Sequence, residues 1–475
     1  MIKLKKNHFL PPYILNNYYL CGINFLNTFN ILFRMNYLWR KIDDELFRWK
    51  NTAHRKVILL RGARQVGKSS AVRELGKKFD NYVEINLEKQ PQLKAIFEPD
   101  MVVERIVKEL SFELKTPIVP HKTLLFIDEI QSCIPAISAL RYFYEDMPEL
   151  HVIAAGSLFE FALEKIPSFG VGRIRSLFMY PFSYDEFIRA MGFTMLADEI
   201  NYCSPENPIS DALHNKCKRL LIEFMLIGGM PEVVAKYVES GSLYDCQEIL
   251  EDITQTFYND FAKYKQRANV SLLKDIFGAV IDQTGGKFTY AKASKNANHL
   301  QIKDCVELLE MAGLIYPVTH TAANGLPLSA QQNTKFRKYL IFDTGIYQRF
   351  LNLNLGGSFS ADHFEKINRG AFAELLAGLE IKKASPVNFP FSLYYWQREK
   401  VGSNAEVDYV VQQNENIVPI EIKANTKGSM QSLHQFLMEK GSPLGIRCSM
   451  ENFGTYGNIK VYPLYAISQV FIHHR

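Results

Sequence analysis

Two short stretches hold residue types whose order points to phosphate chemistry. The first, Gly62-Ala63-Arg64-Gln65-Val66-Gly67-Lys68-Ser69, comes directly after the apolar run KVILL and leads through Ser70 into a helix-forming segment. Its glycines let the backbone turn N–H groups inward around phosphate oxygens, Lys68 brings an ammonium to the β and γ phosphates, and Ser69 offers a hydroxyl to magnesium. The second stretch is TLLFIDEI, in which an apolar strand delivers Asp128 beside the metal and Glu129 stands next to it to polarise an attacking water. Ser157, closing HVIAAGS, is placed to sense a γ-phosphate. Arg173 and Arg175 in GVGRIRS are candidates for the arginine that steadies charge during phosphoryl transfer.

Such groups must be held at the carboxyl ends of parallel strands. The chain supplies KVILL (56–60), YVEINL (82–87), TLLFIDEI (123–130) and HVIAAGS (151–157), separated by helix-length segments. That alternation predicts an α/β sheet with crossover helices and a ligand at its carboxyl edge.

RGARQVGKSS, LLFIDEIQ, AAGS and GRIRSLFMYPFSYDEF together resemble the AAA-type ATPases that prokaryotes pair with a C-terminal domain of unknown function, over residues 36–475. The resemblance implies ATP and Mg2+ as cofactors, ATP hydrolysis as the activity, and a place in the nucleotide site or its switch for Arg64, Gln65, Gln131, Gly172 and Arg173. It divides the chain into an ATPase core at 35–190 and a helical lid at 191–280, the lid turning at Gly228-Gly229 before Met230 and Pro231. Residues 281–350 read as winged-helix-like, helices followed by a two-strand wing. There Lys292, Lys295, Lys303, Lys335, Arg337 and Lys338 are expected to meet DNA phosphates, unless the module only packs.

After a linker at 351–363 the α/β pattern returns over 364–475. EVDYVVQQNENIVPIEIK reads as a hairpin turning at Asn414-Glu415, which sets Asp408 opposite Glu421 and Glu406 opposite Lys423 on one face. Facing acids repel unless a positive charge lies between them. A divalent cation would serve, held by Asp408 and Glu421 with Glu374 from the preceding helix, while Lys423 orients water. This Glu, Asp, Glu-x-Lys order resembles the PD-(D/E)XK nuclease fold and implies a second Mg2+ or Mn2+. It departs from that pattern in having Val before Asp408, and an incomplete Gln-x-x-x-Tyr element, with Gln431 followed by Gln435. Three functions stay open: an ATPase driving a DNA-acting tail, a nucleotide switch with a protein-interaction tail, and an ATP-dependent nuclease.

Composition narrows the class without choosing among these. The 475 residues are 47% hydrophobic and 22% charged, as in soluble globular chains, and exclude disordered and collagen-like classes. Of the net charge of +5, Lys3, Lys5, Lys6 and Arg34 supply four, leaving the remainder nearly neutral, so any nucleic-acid contact must be a local patch. Seven scattered cysteines without a Cys-x-x-Cys pair suggest reduced thiols and a cytoplasmic protein, with no membrane partner expected and a homo-oligomer left open. Residues 1–34, acid-free and cut by Asn and by Pro11-Pro12, are expected to be an over-extended start or a loose arm. The fold class expected is α/β: a P-loop AAA-type parallel sheet with a helical lid, a winged-helix-like middle and a C-terminal nuclease-like domain.

Overall fold

Four apolar runs need burial on both faces, and the chain answers with a parallel sheet. The computed structural model describes residues 37–157, 159, 172–265, 267–352, 369–400, 402, 405–424 and 428–471; residues 1–34 and most of the 351–363 linker lie outside these. The strands are β1 (Val57–Arg61), β2 (Asn81–Asn86), β3 (Thr123–Asp128), β4 (His151–Ala155) and β5 (Ile174–Phe178), in the order β2-β3-β4-β1-β5. β3 is buried at every position, as a central parallel strand covered on both faces must be. Leu59, Ile85, Leu125, Ile127 and Val152 from the sheet pack with Leu110 of the helix Val103–Glu113 and Phe143 of the helix Ile134–Asp146. Because β4 lies between β1 and β3, the end of β4 stands between the phosphate loop and Asp128.

The fifth strand comes from a segment that the sequence runs did not mark as a strand. Ile174–Phe178 pairs in parallel with Val57–Arg61, forming the sheet's outer edge. Helices Tyr184–Ala190, Thr194–Tyr202, Asp211–Ile227, Pro231–Ser240 and Leu243–Asp260 follow, the first opened by a capping box of Ser183 and Glu186.

The winged-helix-like region has the expected order, helices Tyr290–Ala293 and His299–Met311 and then two antiparallel strands, but it does not stand apart from the second sheet. Its wing strands, β6 (Ile315–Thr321) and β7 (Gln332–Ile341), form one edge of an eight-stranded sheet with β8 (Leu393–Gln397), β9 (Glu406–Gln413), β10 (Asn416–Ile422), β11 (Gly445–Ser449), β12 (Gly454–Tyr456) and β13 (Ile459–Pro463). The order is β12-β13-β11-β10-β9-β8-β6-β7, with β6 parallel to β8 through Val318–Leu393, Thr319–Tyr394 and His320–Tyr395. A two-strand ribbon leaves one edge of each strand unpaired; here β8 takes up the edge of β6. The hairpin itself has the expected register, from Asn416–Gln413 to Ile420–Tyr409.

One of the groups that join the helical region to this sheet is a buried carboxylate. Asp343, after β7, accepts from Gly345 N (2.9 Å) and Ile346 N (3.1 Å) of its own helix and from Gly229 N (2.7 Å) across the Gly228-Gly229 turn. A methyl on Gly228 would meet Asp343 Oδ1 at 2.2 Å, so the approach requires glycine there. Asp343→Ala removes a cap and strands a buried N–H, together costing about 3 kcal/mol. A thermal midpoint about 3 °C lower is expected by calorimetry; an unchanged midpoint would show that the turn holds without the carboxylate.

Candidate nucleotide site and a buried charge cluster

The loop after β1 is shaped around its own lysine. Gly67, with φ +97°, begins the helix Lys68–Gly76, and Gln65 is also left-handed at φ +60°. Lys68 Nζ donates to the carbonyls of Gly62 (2.8 Å) and Ala63 (2.7 Å), drawing the ends of the loop together. Burial pushes its ammonium down to about 8, with Glu129 and Asp128 opposing the shift. The protein dehydrates this cation, and a phosphate would restore its charge.

Ser69 Oγ donates to Asp128 Oδ2 at 2.9 Å, so the hydroxyl and carboxylate expected to share magnesium already meet. The donor set, one hydroxyl and one carboxylate with the phosphate oxygens still to come, fits Mg2+. Asn86, at the end of β2 and in register with Asp128, points Nδ2 at the same carboxylate oxygen at 3.5 Å; the sequence reading missed it. Glu129 stands in the left-handed region at φ +50°, a strained backbone for a non-glycine residue. Gln131 Nε2 donates to Glu129 Oε2 at 2.5 Å, while Gln131 Oε1 lies over Gly156, where a methyl would be 2.3 Å away. Gln131 therefore orients Glu129 while packing against the end of β4.

Arg64 links the loop to two other elements. Its Nε donates to Ser157 Oγ at 3.1 Å, and its Nη1 lies 2.6 Å from both carboxylate oxygens of Asp260, the last residue of the helix Leu243–Asp260. The turn into β6 approaches from the C-terminal body: a methyl on Gly313 would lie 3.4 Å from Ala63 N. No local pattern in the sequence marks Asp260 or Gly313 as partners of the phosphate loop.

Arg173 and Arg175 are corrected as catalytic candidates within this chain. They lie at the amino end of β5, where Ile174 pairs with Val57, five residues before the phosphate loop begins at Gly62; at strand rise that is about 17 Å. Arg173 pairs with Glu145 (2.8 Å) and Arg175 with Glu45 (2.5 Å), anchoring the edge strand to the helices Ile134–Asp146 and Lys41–Lys50. Of the other matched positions, Gly172 has φ +82° with open space around its α-carbon.

In the C-terminal sheet the acids converge as expected, but around a lysine. Lys338 on β7, expected at a DNA backbone, has a side chain only 1% exposed, with Nζ 2.8 Å from Glu374 Oε1 and 2.5 Å from Glu406 Oε1. Asp408 Oδ2 accepts from Ile422 N (2.7 Å), and Lys423 Nζ lies 2.5 Å from Glu421 Oε1. Burial pushes Glu374, Asp408 and Glu421 above the ordinary carboxylate range, with Lys338 opposing this at Glu374 and Asp408, and Lys423 at Glu421. Burial works against the Lys338 ammonium too, but Glu374, Glu406 and Asp408 outweigh it and hold it above the ordinary lysine range.

The second metal does not fit this arrangement. Lys338 pairs with Glu374 and Glu406 and Lys423 with Glu421, so ammonium groups already lie among these acids, and among the described residues no group of three or more His, Cys, Asp or Glu side chains is placed to hold a metal. Two other cations from the expected wing are also paired, Arg337 with Glu310 (3.4 Å) and Lys303 with Glu307 (3.4 Å), whereas Lys292, Lys295 and Lys335 are exposed. The six described cysteines are buried free thiols, and no described helix is long and apolar enough to cross a membrane.

Residues 54–188 match a family model described as an AAA domain, and residues 218–355 and 369–467 match two domains of unknown function, DUF8612 and DUF4143. None of the curated proteins matches the chain. Among solved structures, a Walker-type ATPase of Pyrococcus abyssi, PABY2304, is 15% identical with TM-score 0.44, over 67% of this chain and 97% of that one. A RuvB variant of Thermotoga maritima is 16% identical with TM-score 0.27, over 58% and 87%. Unliganded Pif1 from Bacteroides sp is 15% identical with TM-score 0.21, over 35% and 49%.

Proposed function

We propose that the AAA-type P-loop domain at residues 54–188 binds ATP with Mg2+ and hydrolyses it, and that the cycle works a nucleotide switch on the helical and C-terminal body. The observation that carries hydrolysis is the contact of Ser69 Oγ with Asp128 Oδ2 at 2.9 Å, with Glu129 held beside it by Gln131. Ser69 and Asp128 would hold the metal, which supplies charge neutralisation at the β and γ phosphates. Lys68 binds those phosphates, Glu129 takes a proton from the attacking water, and Ser157 faces the terminal phosphate through its link to Arg64. The contact of Arg64 Nη1 with both carboxylate oxygens of Asp260 and the approach of Gly313 to Ala63 support the switch, since a phosphate entering the loop must act on both.

The tail is read as the moving partner and not as a nuclease, because an internal ammonium takes the cation's place among its acids. A nucleic-acid partner is favoured only at the exposed Lys292, Lys295 and Lys335, a local patch on a nearly neutral body. The test is phosphate release by the purified full chain with Mg2+, alone and with plasmid, single-stranded DNA or RNA. Mg2+-dependent release is expected, with the plasmid uncut in Mg2+ or Mn2+. No release under any condition would sink the ATPase reading, and metal-dependent nicking would restore the nuclease.

A further inference from the structure

The phosphate loop has a second support that no sequence pattern announces. Arg40, at the amino end of the helix Lys41–Lys50, is only 4% exposed, an unusual burial for a guanidinium. Its Nη1 donates to Val66 O at 3.1 Å and its Nη2 to Tyr180 O at 2.7 Å. Its Nε lies 3.2 Å from Glu186 Oε1, and the guanidinium stacks 4.0 Å over the Phe182 ring. Glu186 is itself fixed, accepting from Lys41 N (2.7 Å) and Ser183 N (2.8 Å). Burial alone would raise the Glu186 carboxyl, but Arg40 and these backbone donors hold it below its usual range.

One plane of atoms turns this packing into a function. Val66 C=O and Gly67 N–H belong to the same trans peptide, so they point in opposite directions. A donor that pins the carbonyl from behind aims the N–H forward, into the concave side of the loop. Gly67, at φ +97°, has no side chain to hold that plane, and the plane swings freely unless something outside the loop fixes it.

We infer that Arg40 is a positioning residue for nucleotide: by holding Val66 O it fixes the Gly67 N–H on the β-phosphate and ties the loop to the segment Tyr180–Glu186 after β5. The inference rests on the nucleotide reading and adds a residue to it. Arginine suits the position because its planar fork reaches two carbonyls and a carboxylate at once. A lysine keeps the charge and loses that geometry.

The experiment is calorimetric titration of the full chain with MgADP, alongside steady-state phosphate release. Arg40→Lys is expected to weaken ADP binding about tenfold, the loss of one charge-assisted hydrogen bond. The KM for ATP should rise in parallel, while turnover at saturating ATP falls less, because the Gly67 contact exists before the chemistry begins. Arg48→Lys, on an exposed side chain of the same helix, should bind as wild type does. A folded Arg40→Lys protein that binds ADP within twofold of wild type would overturn the inference and leave the nucleotide reading standing, whereas a wild type that binds no ADP overturns both. If Arg40→Lys shows no cooperative melt, Glu186→Gln decides: it loosens the anchor of the guanidinium, so weaker ADP binding by threefold or more supports the role, and a smaller change overturns it.

Discussion

Lys68→Ala is expected to lose tight ATP binding altogether, with affinity at least about a hundredfold weaker, because a buried charge-assisted contact to two phosphates disappears with its only side-chain cation. Glu129→Gln should behave in the opposite way. It keeps Ser69, Asp128 and Lys68 and therefore binds ATP, but it cannot take the proton from water, so release falls by a factor of about 100 to 10,000. Titration calorimetry and phosphate release separate the two variants, and wild-type turnover by Glu129→Gln would show that this residue is not the base. The Lys68 ammonium adds a signature. Burial holds it near 8 without nucleotide, and phosphate raises it, so ATP binding at pH 8 should take up a fraction of a proton that Lys68→Ala does not. Calorimetry in buffers of different ionisation enthalpy measures that uptake.

The largest effect on stability is expected at Lys338. Lys338→Met keeps most of the aliphatic stem and removes the ammonium, leaving Glu374, Glu406 and Asp408 without their shared cation; breaking a buried pair in this way costs about 3 to 5 kcal/mol. A thermal midpoint lower by about 4 °C at pH 8 follows for a cooperative unit of this size. The sign of the pH dependence is fixed by the carboxyls. Burial holds Glu374 and Asp408 above their unfolded pKa values, so their penalty is full at high pH and fades as pH falls toward the ordinary carboxylate range. The gap between variant and wild type should therefore narrow from pH 8 to pH 5. Manganese should leave the wild-type midpoint unchanged; a rise of several degrees would mean that a metal displaces the lysine and that the tail site must be reconsidered.

Both predictions start from residues legible in the sequence, and they differ in how much of the environment was legible too. At the nucleotide site, a loop with two glycines, a lysine and a serine is a local object: its spacing dictates the backbone turn, and the apolar run before Asp128 dictates a buried strand. The hairpin was also local, because a two-residue turn and a period of two set the pairing of Gln413 with Asn416 and the residues beyond, and with it the face shared by Glu406, Asp408, Glu421 and Lys423. The sequence even required a positive charge among those acids. It could not say which, since like-charge repulsion asks only for a cation and is indifferent to whether that cation is a metal or an ammonium.

That choice was tertiary. Lys338 reaches Glu374 and Glu406 only because β6 pairs with β8, which carries β7 and its lysine into the C-terminal sheet instead of leaving them as a solvated wing. The same holds around the phosphates, where Arg40, Asp260 and Gly313 come from elements distant along the chain and carry no motif of their own. Arg173 and Arg175 show the reverse: GVGRIRS offered them as candidates for a charge-stabilising arginine, but the parallel register of β5 on β1 sets them at the amino end of the sheet, away from this chain's own phosphate loop. Local sequence determines the loops and strands that offer chemical groups, through backbone sterics and the alternation of apolar residues. Which distant group meets them depends on strand order and helix packing, because burial rewards any arrangement that covers the apolar faces, and the charges must then find partners within the one that forms.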